Sequence, residues 1–300
     1  MTGRKNGILS VVGNTPLIEV EGVFAKLETT NPTGSVKDRM ALYMLEKAEK
    51  KGILKPKSRI IEVTSGNTGI AFAMISAVKG YEFVAVMSEA MSVERRKMME
   101  AFGAKVVLTP AEEDIAGAIK KYEQIAKENP EAWFPKQFEN PDNISAHRNG
   151  LGKEIARQMA GKVDALIAGV GTGGTLIGAA QHLRIQNPRM KVVAVEPEES
   201  AVLSGRKPGL HRIQGIGEGF IPKLVRDNLS MINEVVVVSS KDAEKEAAML
   251  ARKYGLLVGI SSGANILAAK MIKEKFGFER VVTILPDRGE RYLTGEVFGK

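Results

Sequence analysis

The chain has 300 residues, 44% of them hydrophobic, which is enough to bury one or two substantial cores and leads us to expect two lobes. Because it has no cysteine, disulfides, thiolate metal sites and a cysteine nucleophile are excluded. Lys and Arg outnumber Asp and Glu by 43 to 35, yet opposite charges are mixed along the helical stretches as on a solvated face, which argues against nucleic-acid binding.

No apolar run reaches the 18 residues of a membrane-spanning helix, and the opening MTGRKNGILSVVGNTP lacks the order of a secretory signal. We therefore expect a cytoplasmic protein that binds neither membrane nor nucleic acid. The three histidines, His147, His182 and His211, have no spacing that suggests a metal site or a catalytic triad. We expect structural roles for them and no metal.

Apolar runs rich in Val and Ile alternate with longer amphipathic stretches, which indicates βαβ units, mostly parallel sheets and the α/β class. A first series predicts strands at 59–65, 82–88 and 105–110, with helices over 69–79, 92–102 and 112–128. A second series, after a helix near 143–160, predicts strands at 164–170, 191–197, 234–240, 256–262 and 280–286, with helices from about Thr175, over 241–254 and after 262. The series predict two doubly wound lobes, joined by the Pro- and Asn-rich connector 133–143. The irregular region 200–230 is long enough to suggest a functional loop.

In NPTGSVKDRMALYM, residues 31–44, Asn-Pro and Gly mark a turn, and Ser35 could cap a helix with Lys37 in its first turn. A helix dipole favours anions at this end, so the ammonium form of a lysine there is disfavoured. The uncharged amine is the better nucleophile toward an aldehyde, as Schiff-base chemistry requires. Most lysines at helix starts are simply solvated, so this motif alone leaves both interpretations open.

The junction EVTSGNTGI, residues 62–70, places hydroxyl and amide side chains with two glycines where a strand passes into a helix. Such a turn offers side-chain and backbone donors to one anionic group, and a carboxylate suits it. Helix capping would need only one of the side chains present, which are Thr64, Ser65, Asn67 and Thr68. The surplus favours a binding role.

The junction GVGTGGT, residues 169–175, follows a predicted strand and opens a helix, so its backbone N–H groups and the helix dipole would bind a phosphate. Gly169, Gly171 and Gly174 also match the pattern G-x-G-x-x-G. Glu196 ends the next strand about where a dinucleotide fold places its ribose-binding acid. From this segment alone, a nicotinamide dehydrogenase is an equal alternative.

The junction GLLVGISSGAN, residues 255–265, repeats the strand–turn–helix pattern with Ser261 and Ser262 at the turn. A serine at this position commonly caps a helix. A ligand role and a capping role are equally supported by the pattern.

Eight motifs extend over nearly the whole chain. They are NTP (14–16), NPTGSVKDR (31–39), TSGNTG (64–69), QFENP (137–141), GTGGT (171–175), QGIGEGF (214–220), GISSG (259–263) and GERYL (289–293). Together, and in this order, they resemble the cysteine synthase (O-acetylserine sulfhydrylase) and cystathionine β-synthase family of fold-type II pyridoxal-phosphate (PLP) enzymes. A nicotinamide enzyme would give no reason for the lysine turn or for the hydroxyl-rich loop, so the motif set disfavours the dehydrogenase.

The resemblance implies a tryptophan synthase β-like fold with PLP in the cleft between two lobes. Residues 1–35 and 142–300 would form the larger lobe, which binds the cofactor phosphate. Residues 36–141 would form the smaller, mobile lobe, which binds the substrate carboxylate. The implied reaction replaces the β-substituent of an activated L-serine, first of all O-acetyl-L-serine, with sulfide to give L-cysteine. A homodimer is implied as well.

The resemblance also implies roles for individual residues. Lys37 would form the Schiff base with the cofactor and later move the substrate α-proton. The cofactor phosphate would be held by Gly171, Thr172, Gly173, Gly174 and Thr175. Asn67 would contact the ring hydroxyl, and Ser261 the pyridine nitrogen. The substrate and its carboxylate would be bound by Thr64, Ser65, Gly66, Asn67, Thr68 and Gln137.

Some features depart from the pattern and leave alternatives open. The segment RNGLGKE, residues 148–154, replaces an aromatic residue and a Thr-Thr-Gly run of the family. Its Arg148 and Lys153, with the net positive charge, suggest O-phospho-L-serine as an alternative donor, although phosphoserine-using relatives carry an arginine about where Gln214 stands. Further alternatives are a cystathionine β-synthase using homocysteine and a phosphate-ligand binding protein without chemistry.

Overall fold

The computed structural model describes residues 7–294 and 297–298. By packing, the chain divides into two compact units. Over their described residues, the smaller unit consists of Met1–Val12 and Lys37–Gln137, and the larger unit of Gly13–Val36 and Phe138–Lys300. Residues 7–12 thus group with the smaller unit, whereas the predicted lobes assigned them to the larger one. The chain passes from one unit to the other within the predicted connector.

Nine strands and ten α-helices lie within the described part of the chain. The strands are β1 Leu17–Val20, β2 Val23–Leu27, β3 Arg59–Val63, β4 Glu82–Ser88, β5 Lys105–Thr109, β6 Ala165–Gly169, β7 Lys191–Pro197, β8 Glu234–Val238 and β9 Val281–Leu285. The helices are α1 Lys37–Lys50, α2 Asn67–Lys79, α3 Val93–Ala101, α4 Asp114–Glu128, α5 Pro141–His147, α6 Lys153–Gln158, α7 Gly174–Gln186, α8 Lys223–Arg226, α9 Ser240–Tyr254 and α10 Ile260–Phe276. None of the helices among these residues is both long and apolar enough to cross a membrane.

The larger unit contains a six-stranded sheet in the order β1-β2-β9-β6-β7-β8. β1 and β2 form an antiparallel hairpin, and the other neighbouring strands are parallel. The central strands are buried on both faces, as near-continuous runs of Val, Ile and Ala predict for parallel strands covered by helices. One apolar core includes residues of α9 and α10, and a second includes residues of α5, α6 and α7. The predicted α/β class with mostly parallel sheets is confirmed.

The smaller unit contains a parallel three-stranded sheet in the order β3-β4-β5. Phe72 of α2 stacks on Phe83 of β4, with 5.8 Å between the ring centroids. Ala118 of α4 belongs to a separate apolar cluster with Ile61 and Val86. β3 ends at its fifth residue and the chain turns at once into α2, so the connecting loop stands at the carboxyl end of the sheet, where ligands bind in such folds.

Residues 256–262 do not form the predicted strand. Helix α9 ends with Gly255 in the left-handed region at φ +67, and α10 already begins after Gly259. The residues between them make only an isolated antiparallel bridge, between Val258 and Arg288. A short buried apolar run has no periodicity that separates a strand from other buried backbone, so the pattern was misleading here.

The predicted helix near 143–160 is interrupted. It consists of α5, a π-helical turn at Arg148–Gly152, and α6. This region packs closely on α7, because a Cβ at Gly152 would lie only 2.9 Å from the carbonyl oxygen of Ala179. The β1–β2 hairpin, in turn, was not predicted, since β1 has only four residues and a single fully buried one.

Candidate active site

Lys37 is the first residue of α1, and its side chain is half-buried. The chain reaches it through a turn closed by a 2.8 Å hydrogen bond from the N–H of Gly34 to the carbonyl of Asn31. Gly34 has φ +80, which glycine adopts without strain. Ser35, suggested as the helix cap, pairs through an isolated bridge with Asp287. The turn at 31–34 therefore leads directly into the start of α1, where Lys37 lies.

Thr64 closes the loop between β3 and α2. Its Oγ1 accepts hydrogen bonds from the N–H groups of Gly69, at 3.1 Å, and Gly66, at 3.4 Å. A Cβ at Gly69 would lie 2.9 Å from Cγ2 of Thr64 and 2.5 Å from Sδ of Met99. Only glycine at this position allows the loop and α3 to approach the start of α2 so closely.

The predicted substrate-binding residues of this unit lie together. Ser65, Gly66 and Asn67 are half-buried at the tip of the loop, and Thr68 behind them is buried. Oγ1 of Thr68 donates a 2.7 Å hydrogen bond to Oε1 of Gln137, which is 69 residues further along the chain. The structure thus joins Gln137 to the contiguous loop through this side-chain hydrogen bond.

Glu62 is a buried carboxyl group just before this loop, and the sequence reasoning gave it no role. Its oxygens accept hydrogen bonds from the backbone N–H groups of Val63, at 3.0 Å, and Gln137, at 3.3 Å. Burial raises the pKa of Glu62 to about 8, although these N–H groups and the ammonium group of Lys136 act in the opposite direction. At neutral pH the carboxyl group is mainly protonated.

Arg95 of α3 supplies a positive charge beside the same loop. Its side chain is buried, and Nη1 lies 3.7 Å from where a Cβ on Gly66 would stand. A buried guanidinium behind a loop of hydroxyl and N–H donors favours an anion at the loop. The sequence reasoning missed Arg95, because the charges around it resemble a solvated helix face. The available signal was its i,i+4 spacing from Met99, which packs on the same loop.

In the larger unit, the segment GTGGT forms the junction between β6 and α7. Gly173 is the N-cap of α7 with φ +85, and a side chain there would overlap Cγ2 of Val225. A Cβ at Gly171 would lie 2.5 Å from the carbonyl oxygen of Gly215. The backbone of this turn is therefore packed too closely for side chains at these positions.

The turn presents a row of unsatisfied donors. Within the described ranges, no protein group accepts a hydrogen bond from the backbone N–H of Gly171, Thr172, Gly173 or Thr175. The first three residues are buried, and the row continues into the first turn of the 13-residue helix α7. Buried N–H donors at a helix start suit an anionic oxygen group, so the turn fits a phosphate.

The predicted functional loop 200–230 supports this turn. Gly215, Gly217 and Gly219 all have positive φ, at +89, +69 and +80, which explains the alternating glycines of QGIGEGF. The N–H of Gly217 donates a 3.0 Å hydrogen bond to the carbonyl of Val170, and Nε2 of His211 donates one of 2.9 Å to the carbonyl of Gly217. The glycines let this loop lie directly against the turn.

Asn143 and His147 of α5 contact the turn from another side. Nδ2 of Asn143 donates a 3.1 Å hydrogen bond to Oγ1 of Thr172. A side chain at Gly174 would overlap Asn143. Nε2 of His147 lies 3.4 Å from Oγ1 of Thr175. His147 thus contacts a predicted site residue, and Asn143, which sequence reasoning missed, lies in the polar connector motif.

Ser261 lies in the first turn of α10 and is buried. Oγ of Ser262 is buried and has no hydrogen-bond partner in the described part of the chain. One turn later, Oδ1 of Asn265 accepts a 2.8 Å hydrogen bond from the N–H of Gly169, and its Nδ2 donates one of 2.8 Å to the carbonyl of Ile284. The start of α10 is therefore tied to the end of β6, just before the glycine turn.

Arg148 is the first residue of the π-helical turn and Lys153 follows its last residue, and both side chains are exposed. Burial lowers the pKa of His182, and the charges of Lys153 and Arg148 lower it further. No group of three His, Cys, Asp or Glu side chains that could hold a metal ion occurs in residues 7–294 and 297–298.

Comparisons with known proteins extend over the full length of the chain. Residues 8–287 match the family model described as pyridoxal-phosphate dependent enzyme. The chain is 45% identical over 304 residues to a cysteine synthase of Staphylococcus aureus (strain Mu50 / ATCC 700699), covering 98% of this chain and 97% of that protein. A solved cysteine synthase (OASS) from Entamoeba histolytica is 40% identical with a TM-score of 0.94, covering 100% and 93% of the two chains. An O-acetylserine dependent cystathionine β-synthase from Helicobacter pylori is 38% identical with a TM-score of 0.92, covering 98% of both.

Proposed function

The chain belongs to the family of pyridoxal-phosphate dependent enzymes, and we propose that within this family it is a cysteine synthase that converts O-acetyl-L-serine and sulfide into L-cysteine and acetate. The resemblance drawn from the eight motifs is confirmed for the family and the fold. The observation that carries the reaction is the presence in one chain of a row of N–H donors at Gly171, Thr172, Gly173 and Thr175, the first three of them buried, and a hydroxyl-lined loop at 64–68. The first suits a phosphate and the second the carboxylate of an amino acid.

The residues that we propose to hold the cofactor come from both units of the chain. The phosphate would be held by Gly171, Thr172, Gly173, Gly174 and Thr175. The N–H groups of all but Gly174 are the donors described above, and the N–H of Gly174 donates to Oγ1 of Thr172. Ser261 would contact the pyridine nitrogen and Asn67 the ring hydroxyl. When bound, pyridoxal phosphate supplies an electron-withdrawing ring that makes the substrate α-proton and the β-substituent removable. Lys37 would hold the cofactor through Nζ and, once released, would accept the α-proton at the same atom.

The substrate carboxylate would be bound by Thr64, Ser65, Gly66, Asn67, Thr68 and Gln137. Because Oγ1 of Thr64 already accepts from two N–H groups, its own hydrogen is the part that can reach a carboxylate. The hydroxyl hydrogen of Thr68 is given to Gln137, so Thr68 would contribute through its backbone N–H. The charge of Arg95 behind Gly66 would add electrostatic attraction.

One alternative nucleophile has specific support. The Helicobacter pylori relative is described as an O-acetylserine dependent cystathionine β-synthase and is nearly as similar in sequence and fold as the cysteine synthases. Homocysteine is therefore the second candidate for the group that replaces acetate. The O-phosphoserine alternative has less support, since the side chains of Arg148 and Lys153 are exposed and the exposed residue at position 214 is a neutral glutamine.

The proposed reaction is tested by the absorbance of the purified protein. O-Acetyl-L-serine should change the absorbance of the bound cofactor, sulfide should restore it, and mass spectrometry should find one L-cysteine for each acetate released. Incubation with O-acetyl-L-serine and homocysteine, followed by the same product analysis, measures the alternative. A coloured protein whose absorbance O-acetyl-L-serine leaves unchanged would rule out this donor. A protein that stays colourless with added PLP would support a binding protein without chemistry.

Three expectations from the sequence remain predictions. We expect the enzyme to work in the cytoplasm, to form a homodimer, and to move its smaller lobe when the carboxylate binds. Sedimentation of the holoenzyme measures the oligomeric state. Small-angle scattering with and without O-acetyl-L-serine measures the motion.

A further inference from the structure

Glu62 is a carboxyl group, 1% exposed, for which the proposed reaction has no direct use. It lies on β3, the edge strand of the smaller sheet. A segment beginning at Trp133 runs along the outer edge of β3. The N–H of Ile61 donates to the carbonyl of Trp133 at 3.0 Å, and the N–H of Trp133 donates to the carbonyl of Arg59 at 2.8 Å. Up to this point the segment is bound to β3 as a short additional strand would be.

The pairing changes at Lys136. This residue has φ +55, in the left-handed region that residues with side chains rarely adopt. The N–H groups of Lys136 and Gln137 donate to the carboxyl group of Glu62 and not to a strand carbonyl. The N–H of Val63 donates to the same carboxyl group. The side chain of Glu62 thus replaces the backbone acceptors of the ladder and holds a turn that is unfavourable by itself.

The other end of this turn is Gln137. Its Oε1 accepts the hydrogen bond from Thr68 in the first turn of α2. A continuous series of short contacts therefore leads from the buried carboxyl group, through two backbone N–H groups, to the loop assigned to the substrate carboxylate. All of these residues belong to the smaller unit.

We propose that Glu62 is a positioning residue for the substrate carboxylate: it holds the backbone of Lys136 and Gln137 so that the side chain of Gln137 meets Thr68 at the carboxylate-binding loop. This inference rests on the proposed function, because it takes residues 64–68 and Gln137 as the carboxylate site. A protonated acid suits this place, since it accepts the N–H bonds without a negative charge beside the incoming carboxylate. The ammonium group of Lys136 is a nearby charge that acts on Glu62 and lowers its pKa.

The first test is Glu62→Gln, which keeps the size of the side chain but replaces one oxygen with an NH₂ group that cannot accept a hydrogen bond. We expect the KM for O-acetyl-L-serine to rise about 10-fold or more, with kcat within about 3-fold of wild type, because substrate binding is lost and the chemistry is not. The cofactor content should be unchanged. The control is Glu82→Gln on β4, which removes ion pairs to Arg59 and Lys105 and should leave KM unchanged.

A second pair of variants tests the turn without altering the buried carboxyl group. Lys136 is exposed, so its side chain can be replaced with little effect on packing. Glycine adopts φ +55 readily and keeps the N–H, whereas proline can do neither. We expect Lys136→Pro to raise KM about 10-fold and Lys136→Gly to retain the wild-type value. Wild-type KM in both Lys136→Pro and Glu62→Gln would overturn the proposal.

The pH dependence separates positioning from a merely structural role. The Kd of O-acetyl-L-serine, measured by the absorbance change of the holoenzyme, is compared between wild type and Glu62→Gln from about pH 6.5 to about pH 9.5. The amino group of the substrate titrates equally with both proteins, so the ratio of their Kd values reports only the titration of Glu62. Wild-type binding should weaken relative to the variant as the pH rises past about 8, where Glu62 ionises. A constant ratio would contradict the inference, while a wild-type enzyme inactive with O-acetyl-L-serine would instead refute the proposed function.

Discussion

Nδ2 of Asn143 donates a 3.1 Å hydrogen bond to Oγ1 of Thr172, and the same oxygen lies 3.3 Å from the N–H of Gly174, from which it also accepts. The hydroxyl is held from both sides, so the middle of the glycine turn has one orientation before any ligand arrives. Such preorganisation lowers the free-energy cost of ordering the N–H donors when a phosphate binds.

Replacing Asn143 with alanine should therefore weaken cofactor binding. The loss of one buried hydrogen bond, about 1.4 kcal/mol, corresponds to a Kd for PLP about 10-fold higher. Fluorescence titration of the apoprotein with PLP measures it. The control is Asn187→Ala at the far end of α7, where the amide donates a single 2.9 Å bond to the carbonyl of Val163. Equal effects of the two substitutions on the Kd would show that Asn143 acts only on general stability.

Gly173→Ala should destabilise the glycine turn by more than the backbone strain of an alanine at positive φ. Gly173 and Gly277 both have positive φ, but a Cβ at Gly173 would overlap Val225, whereas one at Gly277 has no atom within 4 Å. Gly277→Ala should cost about 1–2 kcal/mol of unfolding free energy from backbone strain. Gly173→Ala should cost more and reduce the PLP content of the purified protein. Urea unfolding measures the first quantity and the cofactor absorbance the second. Full PLP content in Gly173→Ala would contradict the assignment of the glycine turn as the phosphate site.

Lys37→Ala should abolish the covalent attachment of the cofactor. Borohydride reduction followed by peptide mapping should place the pyridoxyl label on Lys37 in the wild type and find none there in the variant. Cysteine formation should fall by at least about 1,000-fold, because the group that holds the cofactor and accepts the proton is lost. Lys50→Ala, at the opposite end of α1, is the matched control and should keep both the label and the activity. A label on another lysine of the wild type would overturn the assignment.

Thr68→Val should weaken donor binding without altering the fold. The substitution leaves Oε1 of Gln137 without its 2.7 Å hydrogen bond. The KM for O-acetyl-L-serine should rise about 10-fold, because a buried hydrogen bond at the proposed carboxylate site is lost. Thr109→Val is the control in the same unit, since Oγ1 of Thr109 is buried with no hydrogen-bond partner among the residues described. It should leave KM unchanged and stability equal or slightly higher, so a similar rise in KM in both variants would argue against a specific role for Thr68.

Acid should weaken the surface cluster around Glu21. Hydrogen bonds from Tyr254, Lys253 and Lys270 lower the pKa of Glu21 from its ordinary value of 4.5 to about 2. Between these two pKa values, folding therefore releases the proton of Glu21. The cluster stabilises the folded state fully above about pH 5, and this stabilisation is lost as the pH falls through 2. Glu21→Gln should cost at most about 1 kcal/mol of unfolding free energy near pH 7, since ion pairs near the surface are screened. In urea unfolding at pH 4 and below, the difference in unfolding free energy between Glu21→Gln and wild type should shrink. A difference that stays constant with pH would contradict this prediction.

The amino-acid sequence by itself determined the α/β class, most strand positions and the three junctions at 31–39, 64–69 and 171–175. These features depend on local physical chemistry. Alternation of buried runs with amphipathic stretches sets the parallel strands and their helices, and glycines such as Gly34 and Gly173 mark backbone that must adopt positive φ. A reader of the sequence can find such positions because the residue that causes the conformation lies in the same few residues.

Only the tertiary structure decided which side chains support those junctions. Glu62 meets Gln137 across 75 residues, Asn143 meets Thr172 across 29, and Asn265 meets Gly169 across 96. It also decided that residues 256–262 form no strand and that α10 already begins at Ile260. Such contacts join segments that are distant in the chain, and a buried polar residue takes whichever partner the packing of the sheets brings within reach, so periodicity and spacing hold no record of the pairing.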